Sequence, residues 1–259
     1  MAQSIRLLTI ADGYGDSQAV PIWYPDYIKW PEIIQLMTRG LVLHNLSRYG
    51  AGNEYIIQCL RANLSDKDAV LIQWAQPNRL DLVLSQDTTH KEFWNSQILN
   101  DSVYRDNVLT CGRNRIWISS ASTAPGVREY HKKFIGVEQH QIRSQVYVDY
   151  ATLLLAHCPH GFLLTSASDY LSDSVTDYSD WYWHDKFQGM CEFRHQSKYA
   201  ELDLGITQPI PLIHFDFIRQ FIQTRFDLPW RSEREIQAVE TMLYRKYRES
   251  VKNKPHDTH

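Results

Sequence analysis

Side chains that could do chemistry fall in a few short stretches of this 259-residue chain. The run Gly13-Tyr14-Gly15-Asp16-Ser17 follows a short apolar stretch. A glycine-rich turn after a strand can cradle phosphate, but no Gly-Lys-Ser/Thr follows, so it is not a P-loop. His157-Cys158-Pro159-His160 holds three potential zinc ligands. Ligands this close together cannot all reach one tetrahedral ion, and no fourth is near in sequence, so no metal is expected there and no other cofactor is implied. Trp181-Tyr182-Trp183-His184-Asp185 sets ring faces beside polar edges. That is either an aromatic binding surface, with Trp181 and Trp183 facing a sugar or a protein, or a plug packing a long loop. Arg245, Lys246, Arg248, Lys252 and Lys254 gather near the end. They complement the negative end of a helix, which accounts for them without nucleic acid.

The elements that must position these groups read clearly over the first eighty residues. Ile5 to Ala11 is a β-type run. Trp30-Pro31 opens a helix, with proline in the first turn where its missing N–H costs nothing. This helix is expected to stop at Gly40 as a C′ glycine. A second strand covers 41–46, a second helix begins at Glu54, and a third strand covers 69–75. Such β-α-β-α-β alternation predicts a parallel sheet with helices on both faces. Ligands of such sheets sit beyond the carboxyl ends of the strands. Asn45 and Trp74 are expected at the carboxyl ends of adjacent strands, with Gly50 facing the same crevice. A long helix is expected over 127–157, broken near Gly136, then a fourth strand from Gly161 and a helix over 211–226. A last helix starts at Ser232, with Glu235 completing a capping box. Its apolar positions Ile236, Val239, Met242, Leu243 and Tyr247 recur at spacings of three and four, so one face needs a cover from this domain or another subunit.

Composition bounds the rest. Hydrophobic residues at 43% and charged residues at 22% are ordinary globular usage, with material for a full core. No apolar run is long enough to cross a membrane. The first residues carry no long apolar segment of a signal peptide, so a cytoplasmic or virion location is expected. A net charge of −3 gives nucleic acid no general attraction. Cys59, Cys111, Cys158 and Cys191 are widely and irregularly spaced, which argues against a disulfide framework.

Several of these residues, in this order, resemble the SGNH (GDSL) hydrolase superfamily, in the branch found in bacterial and tailed-phage genomes. They are Trp30-Pro31 heading the first helix, Asn45-Leu46, Gly50 and Asn53 around the second turn, Trp74 and Arg79 after the third strand, and Gln208-Pro209 followed by His214. The resemblance implies a three-layer α/β/α fold with a flavodoxin-like parallel sheet, and an esterase apparatus of serine, histidine and oxyanion donors. Asp12-Gly13 then stands where the family has its Asp-Ser, and Gly13 has no hydroxyl. A literal Gly-Asp-Ser occurs four residues later, ending at Ser17. The family histidine position is Gln208, which cannot act as a base near neutral pH. His214 is either a replacement base or a packing residue. Gly50 matches the oxyanion glycine, Asn53 is either a further donor or a helix cap, and Gln76 could supply an amide. Arg79 beside Asp81 is either an anion clamp or half of an ion pair.

Loss of nucleophile and base together points to a degenerate hydrolase domain. It would act as a non-catalytic binding or structural component, such as a virion or glycan-recognition protein, with a carbohydrate ligand, protein partners or further copies of itself. The alternative is an active serine esterase or deacetylase acting on acylated carbohydrate through Ser17 and His214. The expected organisation is an α/β domain over 1–228, with insertions at about 80–127 and 169–204, and a C-terminal helix and tail over 229–259.

Overall fold

The structure is a computed structural model that describes residues 5–11, 27–47, 51–66, 68–75, 79–83, 105–106, 115–119, 133, 136–164, 190–203 and 209–252. Its centre is a four-stranded parallel sheet built from β1 (Arg6–Ala11), β2 (Val42–Asn45), β3 (Asp68–Trp74) and a later strand, β7 (His160–Leu164). The order is β2-β1-β3-β7. The fold is therefore α/β, and this order is the first four positions of the flavodoxin-like arrangement. β3 is buried along its whole length, as a parallel strand covered on both faces must be.

Asn45 and Trp74 do end their strands, but the strands are not adjacent. β1 lies between them. The chain steps from β1 to β2 on one side and then returns across β1 to form β3. With right-handed crossovers, steps in opposite directions put the connecting helices on opposite faces. The packing agrees. Helix α1 (Trp30–Met37) groups with α5 (Pro211–Phe217) and α6 (Glu233–Lys252), and α2 (Asn53–Asn63) groups with α3 (Val137–Leu154). Gly136 is the N-cap residue of α3, so a helix does start at the expected break.

Each helix of the first group has a reason in its sequence. α1 buries Trp30, Pro31, Ile33, Ile34 and Met37, and Glu32 accepts the Lys29 N–H at 3.1 Å to close its first turn. It does not run to Gly40. It stops at Met37, because Thr38 turns extended and bridges Trp230. The Arg39 N–H then donates to the Pro229 carbonyl, and the Arg231 N–H to that of Met37. Gly40, at φ +65°, serves the turn into β2, where a side chain would be strained. α5 continues into a π-helical turn over Ile218–Ile222. Glu235 accepts both the hydroxyl and the N–H of Ser232 and pairs with Arg39, and these contacts hold its carboxyl down at about 2.

The 80–127 stretch holds a separate antiparallel sheet, ordered β4 (Arg79–Val83), β6 (Arg115–Ser119), β5 (Arg105–Asp106). Residues 190–203 are tied down at both ends. They carry a short helix, α4 (Met190–Phe193), and a 3-10 turn over Ala200–Leu202. Phe193 stacks edge-on against Phe217 and Phe221. Arg194 forks onto Asp203. The buried Asp216 carboxylate accepts from the Ser197 hydroxyl at 2.6 Å, the Lys198 N–H at 3.0 Å and Gln220 at 3.1 Å. Burial alone would push the Glu240 carboxyl up, but donation from Lys198 and Tyr199 outweighs it and holds Glu240 below the usual carboxylate range. At the amino edge of the sheet, Arg6 grips Asp68 with two 2.5 Å contacts. Cys59 is buried and Cys158 half-buried. No described helix is long and apolar enough to cross a membrane.

Candidate functional site

In an open parallel sheet the natural crevice lies past the carboxyl ends of the two strands between which the winding reverses. Here those are β1, ending at Ala11, and β3, ending at Trp74. Three polar arrangements surround that edge among the described residues.

The first is at the end of β2. The Asn45 carboxamide oxygen accepts the Thr9 hydroxyl at 3.1 Å and the Ser47 N–H at 3.0 Å. The Tyr55 hydroxyl donates to the Leu46 carbonyl at 3.0 Å. Strand end, strand neighbour and following helix are thus joined through Asn45-Leu46, two of the residues that carry the resemblance.

The second joins the end of β3 to both helices behind it. Asn53 is 2% exposed. Its side-chain oxygen accepts the Ala75 N–H at 3.0 Å, and its nitrogen donates to the Ser144 hydroxyl of α3 at 3.1 Å. Asn53 does not cap α2. It is the first residue inside the helix, and Gly52 occupies the cap. Its amide is used to close off the backbone where β3 ends. Ser144 was not among the residues singled out from sequence. The signal for it was a small hydroxyl in the His140, Val148, Ala151 row of α3, all of it buried, where a polar group must have a partner. Replacing Asn53 with Ala leaves the Ala75 N–H and the Ser144 hydroxyl without this partner, so the expected loss is about 2–3 kcal/mol of unfolding free energy. Ser144→Ala is expected to cost about 1 kcal/mol. Urea titrations check both, and a loss below about 0.5 kcal/mol for Asn53→Ala would mean the amide carries no structural load.

The third arrangement joins the approach to α1 with the approach to α5. The buried Tyr27 hydroxyl donates to the Pro209 carbonyl at 2.6 Å. The Tyr27 ring stands edge-on to His214, at 6.1 Å between centroids and 90° between planes. His214 lies one turn into α5 and is wholly buried. Burial pushes its imidazole down to about 3, so it is neutral throughout the physiological range. The Trp30 indole donates to the Gln73 side chain at 2.8 Å, fixing the start of α1 over β3. Tyr27 was also missed from sequence; nothing in its local pattern points to a partner so far along the chain.

Other expected site residues are reached only in part. Asp12, Gly13, Ser17, Gly50, Gln76, Gln208, Trp181 and Trp183 lie outside the described residues. Arg79 opens β4, paired in register with Ser119. Trp74 is core rather than crevice, fully buried against Phe162 at 5.6 Å between rings. His160 turns Nδ1 to the Cys158 carbonyl at 2.8 Å. Among the described residues no group of three His, Cys, Asp or Glu side chains could hold a metal ion.

No protein-family model and no curated protein matches the chain. Among solved structures it is similar to the crystal structure of protein YXIM from Bacillus subtilis, with 7% identity and a TM-score of 0.34. That match takes in 98% of this chain and 58% of the Bacillus subtilis chain, so this chain spans little more than half of that protein's length.

Proposed function

We propose that this protein is a non-catalytic member of the SGNH-hydrolase type, which binds a ligand or an assembly partner at the carboxyl edge of its parallel sheet. The observation that carries this reading is the state of His214. A general base needs access to the proton it takes and a pKa near the working pH. His214 has neither property: it is fully buried in the core and held down at about 3. The position of the family histidine is a glutamine, Gln208, and the strand-end position of the family serine is Gly13. Asn53 supports the same reading, because its amide oxygen and nitrogen already serve Ala75 and Ser144.

The test is direct. The purified protein is expected to hydrolyse p-nitrophenyl acetate no faster than buffer, and to remain unlabelled by a fluorophosphonate probe. Labelling that disappears in Ser17→Ala would establish an active serine and replace this reading with that of an esterase acting on acylated carbohydrate.

A further inference from the structure

Residues 190–203 are tied within themselves and to their neighbours by separate sets of contacts. Within the segment, Arg194 forks onto Asp203 and closes it nearly end to end. Backbone bonds run between, from the Arg194, Ser197, Ala200 and Leu202 N–H groups to the Met190, Phe193, Ser197 and Tyr199 carbonyls. The ties outward fall on α5, its π-helical continuation and α6. Phe193 is the apolar anchor, edge-on to Phe217 and Phe221 at 5.5 and 5.4 Å between rings. Asp216 accepts the Ser197 hydroxyl and the Lys198 N–H. Glu240 accepts the Lys198 ammonium at 2.7 Å and the Tyr199 hydroxyl. Lys198 is thus held by both carboxylates, one through its backbone and one through its side chain. The Tyr247 hydroxyl adds a tie at the Leu202 carbonyl.

Two features set this segment apart from the sheet. Of its described side chains only Met190, Phe193 and Ser197 are buried. A segment with few buried apolar groups lies at the low end of the range of local stabilities. The second feature is the π-helical turn over Ile218–Ile222, which meets the segment directly. It carries Phe221 against Phe193, and its Gln220 donates to the Asp216 carboxylate at 3.1 Å. Such turns are rare and recur at functional sites.

We propose that residues 190–203 are a latched strap, which opens and closes as one unit while the parallel sheet stays folded, with Asp216 and Glu240 as the latch. The internal fork and backbone bonds make the strap move as a body, because none of them has to break for it to leave. Opening uncovers the Phe217 and Phe221 rings, so the closed latch conceals an apolar surface.

Native-state hydrogen exchange on the full-length chain at pH 7, read by mass spectrometry, tests this. Amides within 194–203 are expected to share one opening constant, at least about 100-fold larger than that of β1 and β3. Glu240→Gln keeps the shape of the side chain and removes its charge. It is expected to raise the opening constant of the strap about 10-fold and leave β1 and β3 unchanged. Tyr199→Phe removes one donor to the same carboxylate and should move the strap in the same direction by a smaller factor. Strap amides that exchange no faster than those of β1 and β3 overturn the proposal, because the segment then opens only with the whole domain. So do strap amides with unrelated opening constants, and a Glu240→Gln chain in which the strap exchanges as in the wild type or the sheet speeds up equally.

Discussion

A chain from which residues 231–259 are deleted is expected to lose cooperative folding at 25 °C. α6 is joined to the domain along its length. Ile236, Leu243 and Tyr247 are buried to 5% exposure or less, and Val239 and Met242 pack against the same core. The cover is the chain's own α1 and α5. Burying three large side chains contributes about 6 kcal/mol, and the faces of α1 and α5 beneath them would open to water at similar cost. Polar ties are lost as well. They include the Tyr247 hydroxyl to Leu202 at 2.6 Å, the Arg219–Glu233 pair at 2.8 Å and the backbone bond from Arg231 to Met37. A domain is stable by only about 5–15 kcal/mol in total, so the deletion removes a comparable amount. Near-UV circular dichroism and calorimetry check the result. A truncated chain that melts in one sharp transition within a few degrees of the full chain would mean that α6 is a passive tail.

What the sequence allowed to be read follows the range of the forces involved. The first three strands and the two helices between them were legible because strand alternation, the Trp-Pro start and the apolar spacing are local signals. The parallel direction followed from the alternation of elements. The neighbour relation of β2 and β3 did not follow, because a right-handed crossover is satisfied whether the chain steps forward or back across β1. The end of α1 was misplaced for a related reason. Gly40 is a good local stop, yet the pairing of Thr38 with Trp230 decides the boundary, and nothing near Thr38 encodes it. Asn53 shows the same limit at the candidate site. A donor or cap role was open from spacing, but its partners lie 22 and 91 residues away, at Ala75 and Ser144. Local pattern cannot rank contacts of that range. His214 was legible as either base or packing residue, and only its surroundings separate the two. α6 was legible in both its start and its apolar face, since the Ser232–Glu235 pair and the three-four spacing are local; which surface would cover it was not.

The burial of His214 also gives acid sensitivity a particular shape. In the unfolded chain the imidazole takes a proton near 6.5, whereas in the folded protein it resists protonation down to about 3. Above pH 6.5 both states are neutral there, and the group adds no pH dependence. Between 6.5 and 3 the unfolded state holds a proton that the folded state refuses. Stability then falls by about 1.4 kcal/mol per pH unit, and the fall ends once the folded state is protonated too. Between pH 6.5 and 4.5 this amounts to about 3 kcal/mol. That window separates His214 from Glu235, whose carboxyl is held at about 2 and whose contribution is lost only below the usual carboxylate range. Urea denaturation at pH 7 and 4.5 should show the drop in the wild type. The drop should shrink by about 3 kcal/mol in His214→Leu, whatever that substitution costs at neutral pH. If both proteins lose the same stability over the window, His214 takes up a proton inside the folded protein. It would then be within reach of water and able to serve as a base, and the non-catalytic reading of the site would lose its main support.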